Sequence, residues 1–286
     1  MWRLASLCFA LLFAATASAQ TQVPSDSRLK TIASKKVIRI ASRTDATPFS
    51  FRNDKNEPAG YSVELCALIA KSIAQQYGLS EIKVEFVPVT VQTRFSAVAD
   101  GKADMECGAS SVTLSRMKQV DFSNTVFVES TGVVVLRSTN ITSLAGLAGR
   151  KIAVLAGSSN ERAVADLITQ RKLDIQLVPV KDRDEGIAAL ELGSAQGYAS
   201  DKLLLVGAQF KNPDAFLMLP DDLSIEPYAI ALPRGDWALR LAVNTAISRI
   251  FRAGLQVELF KRWFDPIGLK PGLLLGAVYT LGGLAE

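Results

Sequence analysis

Short β-branched runs along this chain alternate with longer stretches in which apolar residues recur at helical spacing. The run 37–41 (Val-Ile-Arg-Ile-Ala) predicts a strand. Over 61–76, Val63, Leu65, Leu68, Ile69 and Ile73 recur at the period of a helix, and Gly78 follows as a stop. Alternation over 82–89 predicts a strand, 92–100 a short helix ended by Gly101, and 103–107 a further strand. That βαβαβ order predicts a mostly parallel sheet with helices on both faces.

The run 126–136 is longer than the other strands, carries few charges and is long enough to cross between two bodies. A second α/β series follows it. Strands are predicted at 151–155, 175–180 and 196–199, and helices at 160–171, 184–192 and 201–209. The run 228–232 predicts a strand that crosses back, and 237–264 reads as two helices joined near Gly254. The fold class is therefore α/β: two lobes joined by two hinge crossings, near 133–136 and 228–232. The first lobe is built from 36–134 and 230–270, the second from 135–229. Ligands in such folds bind at the carboxyl ends of the strands.

Both ends of the chain depart from this alternation. Arg3 precedes an almost wholly apolar run over 4–17, and Ala17-Ser18-Ala19 fits a small-residue cleavage site. The expectation is a signal peptide over 1–19, cleaved after Ala19, and a periplasmic mature chain. The apolar run is shorter than the ~20 residues a membrane span needs. Residues 20–35 read as a loose leader. The stretch 271–286 is an apolar, Gly-rich tail that either packs on the first lobe or stays loose.

Composition narrows the function. The 286 residues are 49% apolar and 21% charged, an ordinary globular balance. The net charge of +4 comes from Lys and Arg interleaved with Asp and Glu, which does not point to nucleic acid. The absence of histidine removes the commonest general base and metal ligand, and no metal or cofactor is expected. Cys66 and Cys107 could pair in an oxidising compartment. The favoured expectation is two buried, unpaired, small apolar residues.

A free amino acid presents a carboxylate beside an ammonium. A site for it needs an Arg, hydroxyl or N–H donors, and one carboxylate acceptor. Ser111 and Arg116 lie in a segment that follows a strand and opens a short helix, where the Arg can fork a carboxylate; Arg116 could equally be a solvated helix charge. Leu155-Ala156-Gly157-Ser158-Ser159-Asn160 also leads from a strand into a helix, whose N-terminal N–H groups suit a carboxylate. An N-capping serine gives the same pattern. No Gly-Lys-Ser or Gly-Lys-Thr follows, which disfavours a phosphate loop. Asp201 directly follows a strand and could accept from an ammonium or cap a helix.

Gly60-Tyr61-Ser62-Val63-Glu64-Leu65 and Ser111 to Arg116, continuing into Gln119-Val120-Asp121-Phe122-Ser123, resemble signature segments of the polar amino acid solute-binding proteins, family 3. Ser62 departs from the acidic residue usual at its position. The resemblance spans roughly 29–265. It is greatest to the glutamate/aspartate-binding branch, through the segments beginning at Ser42-Arg43-Thr44-Asp45, at Pro88-Val89-Thr90 and at Glu106-Cys107-Gly108.

The resemblance implies a type II periplasmic binding protein-like fold. It also implies a monomer that carries L-glutamate or L-aspartate to an ABC transporter permease. Arg116 with Ser111 would hold the α-carboxylate, helped by Ser159 from the second lobe. Asp201 would accept the α-ammonium. Arg43 and Arg94 would hold the side-chain carboxylate. Arg183 stands where the branch places a histidine that touches the same group. Four arginines against Asp201 leave positive charge for a second carboxylate and disfavour a basic ligand.

Three departures weigh on specificity. Ala109 and Val91 replace serines near the pocket, and the branch's second cysteine falls at Ile230. Alternatives are another polar amino acid, a dicarboxylate, or an enzyme on the same fold such as a dehydratase of prephenate-like acids. For that last reading Glu106 is the one carboxylate placed near the first lobe's cleft. A sensor role would show the same ligand binding.

Overall fold

Thirty residues into the chain, polar sequence already folds. The computed structural model describes residues 23–211 and 214–285; the expected signal peptide 1–19, its cleavage point and the first residues of the leader lie outside the described residues. The expected leader ends not as a loose segment but as helix α1 (Arg28–Lys35). Ser27 caps it by accepting from the Leu29 N–H, and Leu29 and Ile32, three residues apart, are buried. Ser27 Oγ also donates to Asp236 Oδ1 (2.7 Å), which anchors the helix to a distant part of the chain.

The first α/β series runs β1 (Val37–Arg43), β2 (Asp45–Ala46), β3 (Ser50–Arg52), β4 (Pro58–Ala59), α2 (Tyr61–Gln76), β5 (Lys83–Val89), α3 (Arg94–Ala99), β6 (Met105–Glu106) and β7 (Val120–Leu136). The second runs β8 (Arg150–Leu155), α4 (Ser159–Arg171), β9 (Ile175–Val180), α5 (Arg183–Glu191), β10 (Gly197–Asp201), α6 (Lys202–Lys211) and β11 (Phe216–Met218). The chain then returns through β12 (Ile225–Pro233) to α7 (Trp237–Arg252), α8 (Leu255–Phe264) and α9 (Leu273–Gly282).

Strand order is β5-β1-β6-β12-β7-β10-β8-β9, with β11 also on β7. β1 lies parallel to β5 and β6, and β8 lies parallel to β9 and β10. Two parallel sets are thus joined through the antiparallel pair β7 and β12. β7 pairs with β12 up to Ser130 and with β10 from Thr131. β12 enters its ladder at Ile225. The change of partner therefore falls a few residues before the stretches 133–136 and 228–232 that the sequence suggested. Hydrophobic runs mark a strand but not the neighbour it pairs with.

Each parallel set has its own core. Ile38, Ile40, Leu65, Ile69, Leu239 and Val243 fill the first, and Val133, Val135, Ile152, Val154 and Val164 fill the second. Phe49, Tyr61, Phe127 and Phe264 form an aromatic cluster at the first, with ring centroids 5.0–6.2 Å apart. Gly60 turns the chain into α2 at φ +127°, and a Cβ there would collide with the Phe49 carbonyl.

Cys66 of α2 and Cys107 form a disulfide, which corrects the expectation of two free thiols. Their Cα atoms stand 6.4 Å apart, within bridging range. That proximity arises because α2 packs across the end of β6, a relationship the linear spacing does not reveal. The apolar tail is packed rather than loose. Tyr279 of α9 shares a 2.9 Å hydroxyl–hydroxyl hydrogen bond with Tyr61, and Ser248 Oγ donates to the Gly282 carbonyl (3.0 Å). No helix among the described residues is long and apolar enough to cross a membrane.

Candidate ligand-binding site

The carboxyl ends of the parallel strands carry the candidate side chains. β1 ends at Arg43 and β6 at Glu106; β5 is followed by Arg94, the first residue of α3. In the second set, β10 ends at Asp201, β8 leads to Ser159 at the start of α4, and β9 leads to Arg183 at the start of α5. Strand ends place these groups together because parallel strands all run the same way, so their polar terminal residues share one edge.

Arg43 is buried, and its Nε and Nη2 donate to Asp45 Oδ1 and Oδ2, both at 2.8 Å. Arg183 reaches the same loop from the second set. Its Nη1 donates to the carbonyls of Asp45 (3.0 Å) and Thr47 (3.4 Å). Beside Arg43, the Asp45 carboxyl is held below its usual range despite its burial.

Arg94 is buried, with Nη1 donating to the Ala109 carbonyl (2.9 Å) and its guanidinium 4.7 Å from the centre of the Phe95 ring. Burial, reinforced by Arg116, lowers its pKa to about 9, so it remains cationic at neutral pH. Arg116 lies 5.2 Å from the same ring and donates from Nη1 to the Ser111 carbonyl (2.7 Å). Glu106 is fully buried between these cations. Desolvation pushes its pKa up, and Arg94 opposes the shift most.

Asp201 is buried, and Asn160 Nδ2 donates to its Oδ1 (3.0 Å) and to Thr131 Oγ1 (2.7 Å). Burial and then Glu226 raise its pKa to about 6. Glu226 is itself held by Ser224 Oγ (2.6 Å). Ser159 Oγ donates to Ser111 Oγ over 3.1 Å, and Gln92 Nε2 donates to the Ala156 carbonyl (3.2 Å). With Arg183, these bonds close the two strand sets over one another.

The structure therefore brings Arg43, Arg94, Ser111, Arg116, Ser159, Arg183 and Asp201 to one cleft. Buried polar atoms there lack hydrogen-bond partners among the described residues: Arg94 Nε, both Glu106 oxygens, Ser110 Oγ and Tyr228 OH. Buried polar groups are nearly always paired, so this concentration, Arg94 Nε above all, makes the cleft the candidate for a polar ligand. Asp45, Asn160 and Glu226 were not singled out in the sequence. Asp45 stands two residues from Arg43 and Asn160 adjoins Ser159, so proximity offered a signal for those two. Glu226 offered none. Asp45 and Glu106 also reduce the positive surplus counted from the four arginines.

Residues 38–266 match the model of the bacterial extracellular solute-binding proteins, family 3. The chain belongs to this family. This solute-binding protein is 31% identical over 246 residues to the L-glutamate/L-aspartate-binding protein of Pseudomonas aeruginosa, covering 85% of this chain and 82% of the relative. It is 28% identical over 263 residues to the glutamate/aspartate import solute-binding protein of Escherichia coli, covering 91% and 87%. Among solved structures it resembles the solute receptor for L-cysteine of Neisseria gonorrhoeae, with a TM-score of 0.73 at 26% identity and coverage of 85% and 97%. The expected type II architecture of two α/β lobes joined by two crossings is the one this solute-binding protein adopts.

Proposed function

We propose that this chain is the periplasmic substrate-binding component of an amino acid ABC transporter and binds L-glutamate or L-aspartate between its lobes. The observation that carries the reading is the cluster of buried Arg94 and Asp201 with half-buried Arg116, gathered beside the strand ends of both lobes. Arg116 and Ser111 take the α-carboxylate, with Ser159 adding a hydroxyl from the second lobe. Asp201, oriented by Asn160, takes the α-ammonium. Arg94, whose Nε has no partner among the described residues, takes the side-chain carboxylate. Arg43 and Arg183 support it through the Asp45 loop.

Domain closure completes the site. The hinge lies where β7 changes partners between Ser130 and Thr131 and where β12 begins at Ile225. Closure around the ligand presents both lobes together to the permease. Similarity to two glutamate/aspartate binders and the expected signal peptide over 1–19 support this placement.

A second reading, another polar amino acid or a dicarboxylate, draws on one observation. Asp45 occupies the fork of Arg43, and Glu106 lies against Arg94, so less positive charge is free than the arginines alone suggest. Isothermal titration of the mature chain with L-glutamate, L-aspartate, L-glutamine and L-arginine separates the readings. Tight binding confined to the two acidic amino acids supports the proposal. Preference for L-glutamine or L-arginine overturns it. Turnover of prephenate would move the chain to the enzyme class.

A further inference from the structure

Behind the first lobe, away from the cleft, the apolar tail forms one wall of a second cavity. It has a volume of about 760 Å³ and lies between α8, the end of α7 and α9. The family match ends at residue 266, so the wall from Lys270 to Gly283 is additional to the matched region. Phe251, Phe260 and Tyr279 give the cavity an aromatic floor. Arg252, Lys261 and Lys270 line it as well, and none of the three is in an ion pair among the described residues. Asp265 is its one acidic lining residue.

One further lining group needs a partner. Gln256 is only 5% exposed, and its Oε1 has no hydrogen-bond partner among the described residues. An amide oxygen accepts only, so what satisfies it must bring an N–H or O–H. The aromatic floor favours an apolar body of rings or chain. The excess of cations favours one negative group.

We propose that this cavity is a second ligand site, for a small amphiphilic anion with an apolar body and one N–H or O–H donor. Its anion sits among Arg252, Lys261 and Lys270, its donor reaches Gln256, and its body lies on Phe251, Phe260 and Tyr279. The site is independent of the amino-acid cleft, so it stands whether or not L-glutamate is the cleft ligand.

1-Anilinonaphthalene-8-sulfonate has this combination: aromatic rings, a sulfonate and one N–H. The test is a fluorescence titration of the mature chain with this probe, with and without 1 mM L-glutamate (about a saturating level). The expected result is one saturable site per chain that L-glutamate does not displace. The double variant Lys261→Glu/Lys270→Glu and the variant Gln256→Leu each weaken it about tenfold or more, by removing the anion or donor partner. Thr280→Trp, which fills the cavity from α9, abolishes it. N-phenyl-1-naphthylamine, which lacks the sulfonate, binds more weakly. Displacement by L-glutamate, unchanged binding in all the variants, or equal binding of the two probes overturns the proposal. Folding of each variant is checked by its circular dichroism and melting curve. Because Thr280 is exposed, that variant reads the cavity even where Gln256→Leu fails to fold.

Discussion

Ser159 Oγ donates to Ser111 Oγ across 3.1 Å, joining the start of α4 in one lobe to the segment that carries Arg116 in the other. The bond brings side chains of both lobes to the cleft. In the proposed site, a ligand carboxylate held by Arg116 would also lie within reach of the Ser159 hydroxyl from the second lobe. Arg116 is therefore expected to carry a large share of the binding energy. Arg116→Ala should cost about 2–5 kcal/mol, typical when one partner of a buried charged pair is removed. Titration calorimetry with L-glutamate checks this, and near-normal affinity would exclude Arg116 from the carboxylate site.

Arg94 tests the side-chain pocket separately. Its Nε lacks a partner among the described residues, and its guanidinium is buried against Phe95. Arg94→Ala should weaken L-glutamate far more than a neutral amino acid of similar size such as L-glutamine. Equal losses for the two ligands would count against a carboxylate at this position.

The pH dependence follows from Asp201, whose pKa is raised to about 6 by burial and by Glu226. In the proposed site the α-ammonium binds the ionised carboxylate. Well above pH 6 Asp201 is ionised, and its contribution is fully present. As pH falls through that value the carboxyl protonates, and affinity should drop by up to ~tenfold per pH unit. Glu129, raised to about 8 chiefly by burial, also feels the Asp201 charge, and Glu106, raised by burial, lies among the cleft arginines. Asp201→Asn isolates the effect: it should bind weakly at pH 7.5 and lose the decline between pH 7 and 5. A variant with the same profile as the parent would assign the titration to another group.

The Cys66–Cys107 bridge closes a separation of 41 residues and sits beside Glu106 and Gly108. Constraining a loop of that length stabilises by about 3–4 kcal/mol in the chain-entropy account. The double variant Cys66→Ser/Cys107→Ser should melt roughly 10 °C lower than the oxidised parent. An unchanged melting temperature would show that the bridge contributes little. Gly108 gives the same region a steric test, since a Cβ there would run into the Glu106 carboxyl and stand 3.3 Å from Arg43 Cγ.

Much of this cleft was legible because alternating β and α patterns predict parallel sheets, and parallel sheets gather the residues at their strand ends. Arg43, Arg94, Ser159 and Asp201 each end a strand or directly follow a strand-to-helix turn. Pairing was not legible. Whether Asp45 turns inward to Arg43 or outward to water depends on the β2–β3 turn, and Glu226 arrives on β12 from far along the chain. The disulfide was hidden for the same reason: α2 and the end of β6 become neighbours only through the fold. Helix α1 was missed because its apolar face holds just Leu29 and Ile32, too few for a clear period. The tail's place was undecided until Tyr279 found Tyr61.

The most direct test is a thermal-shift screen of the mature chain, refolded to strip carried ligand, against the twenty amino acids and common dicarboxylates. A ligand at about 100 times its dissociation constant stabilises by about 2.7 kcal/mol, a shift of several degrees for a chain of this size. The account predicts shifts confined to L-glutamate and L-aspartate. A shift with neutral or basic amino acids and none with these two would contradict it.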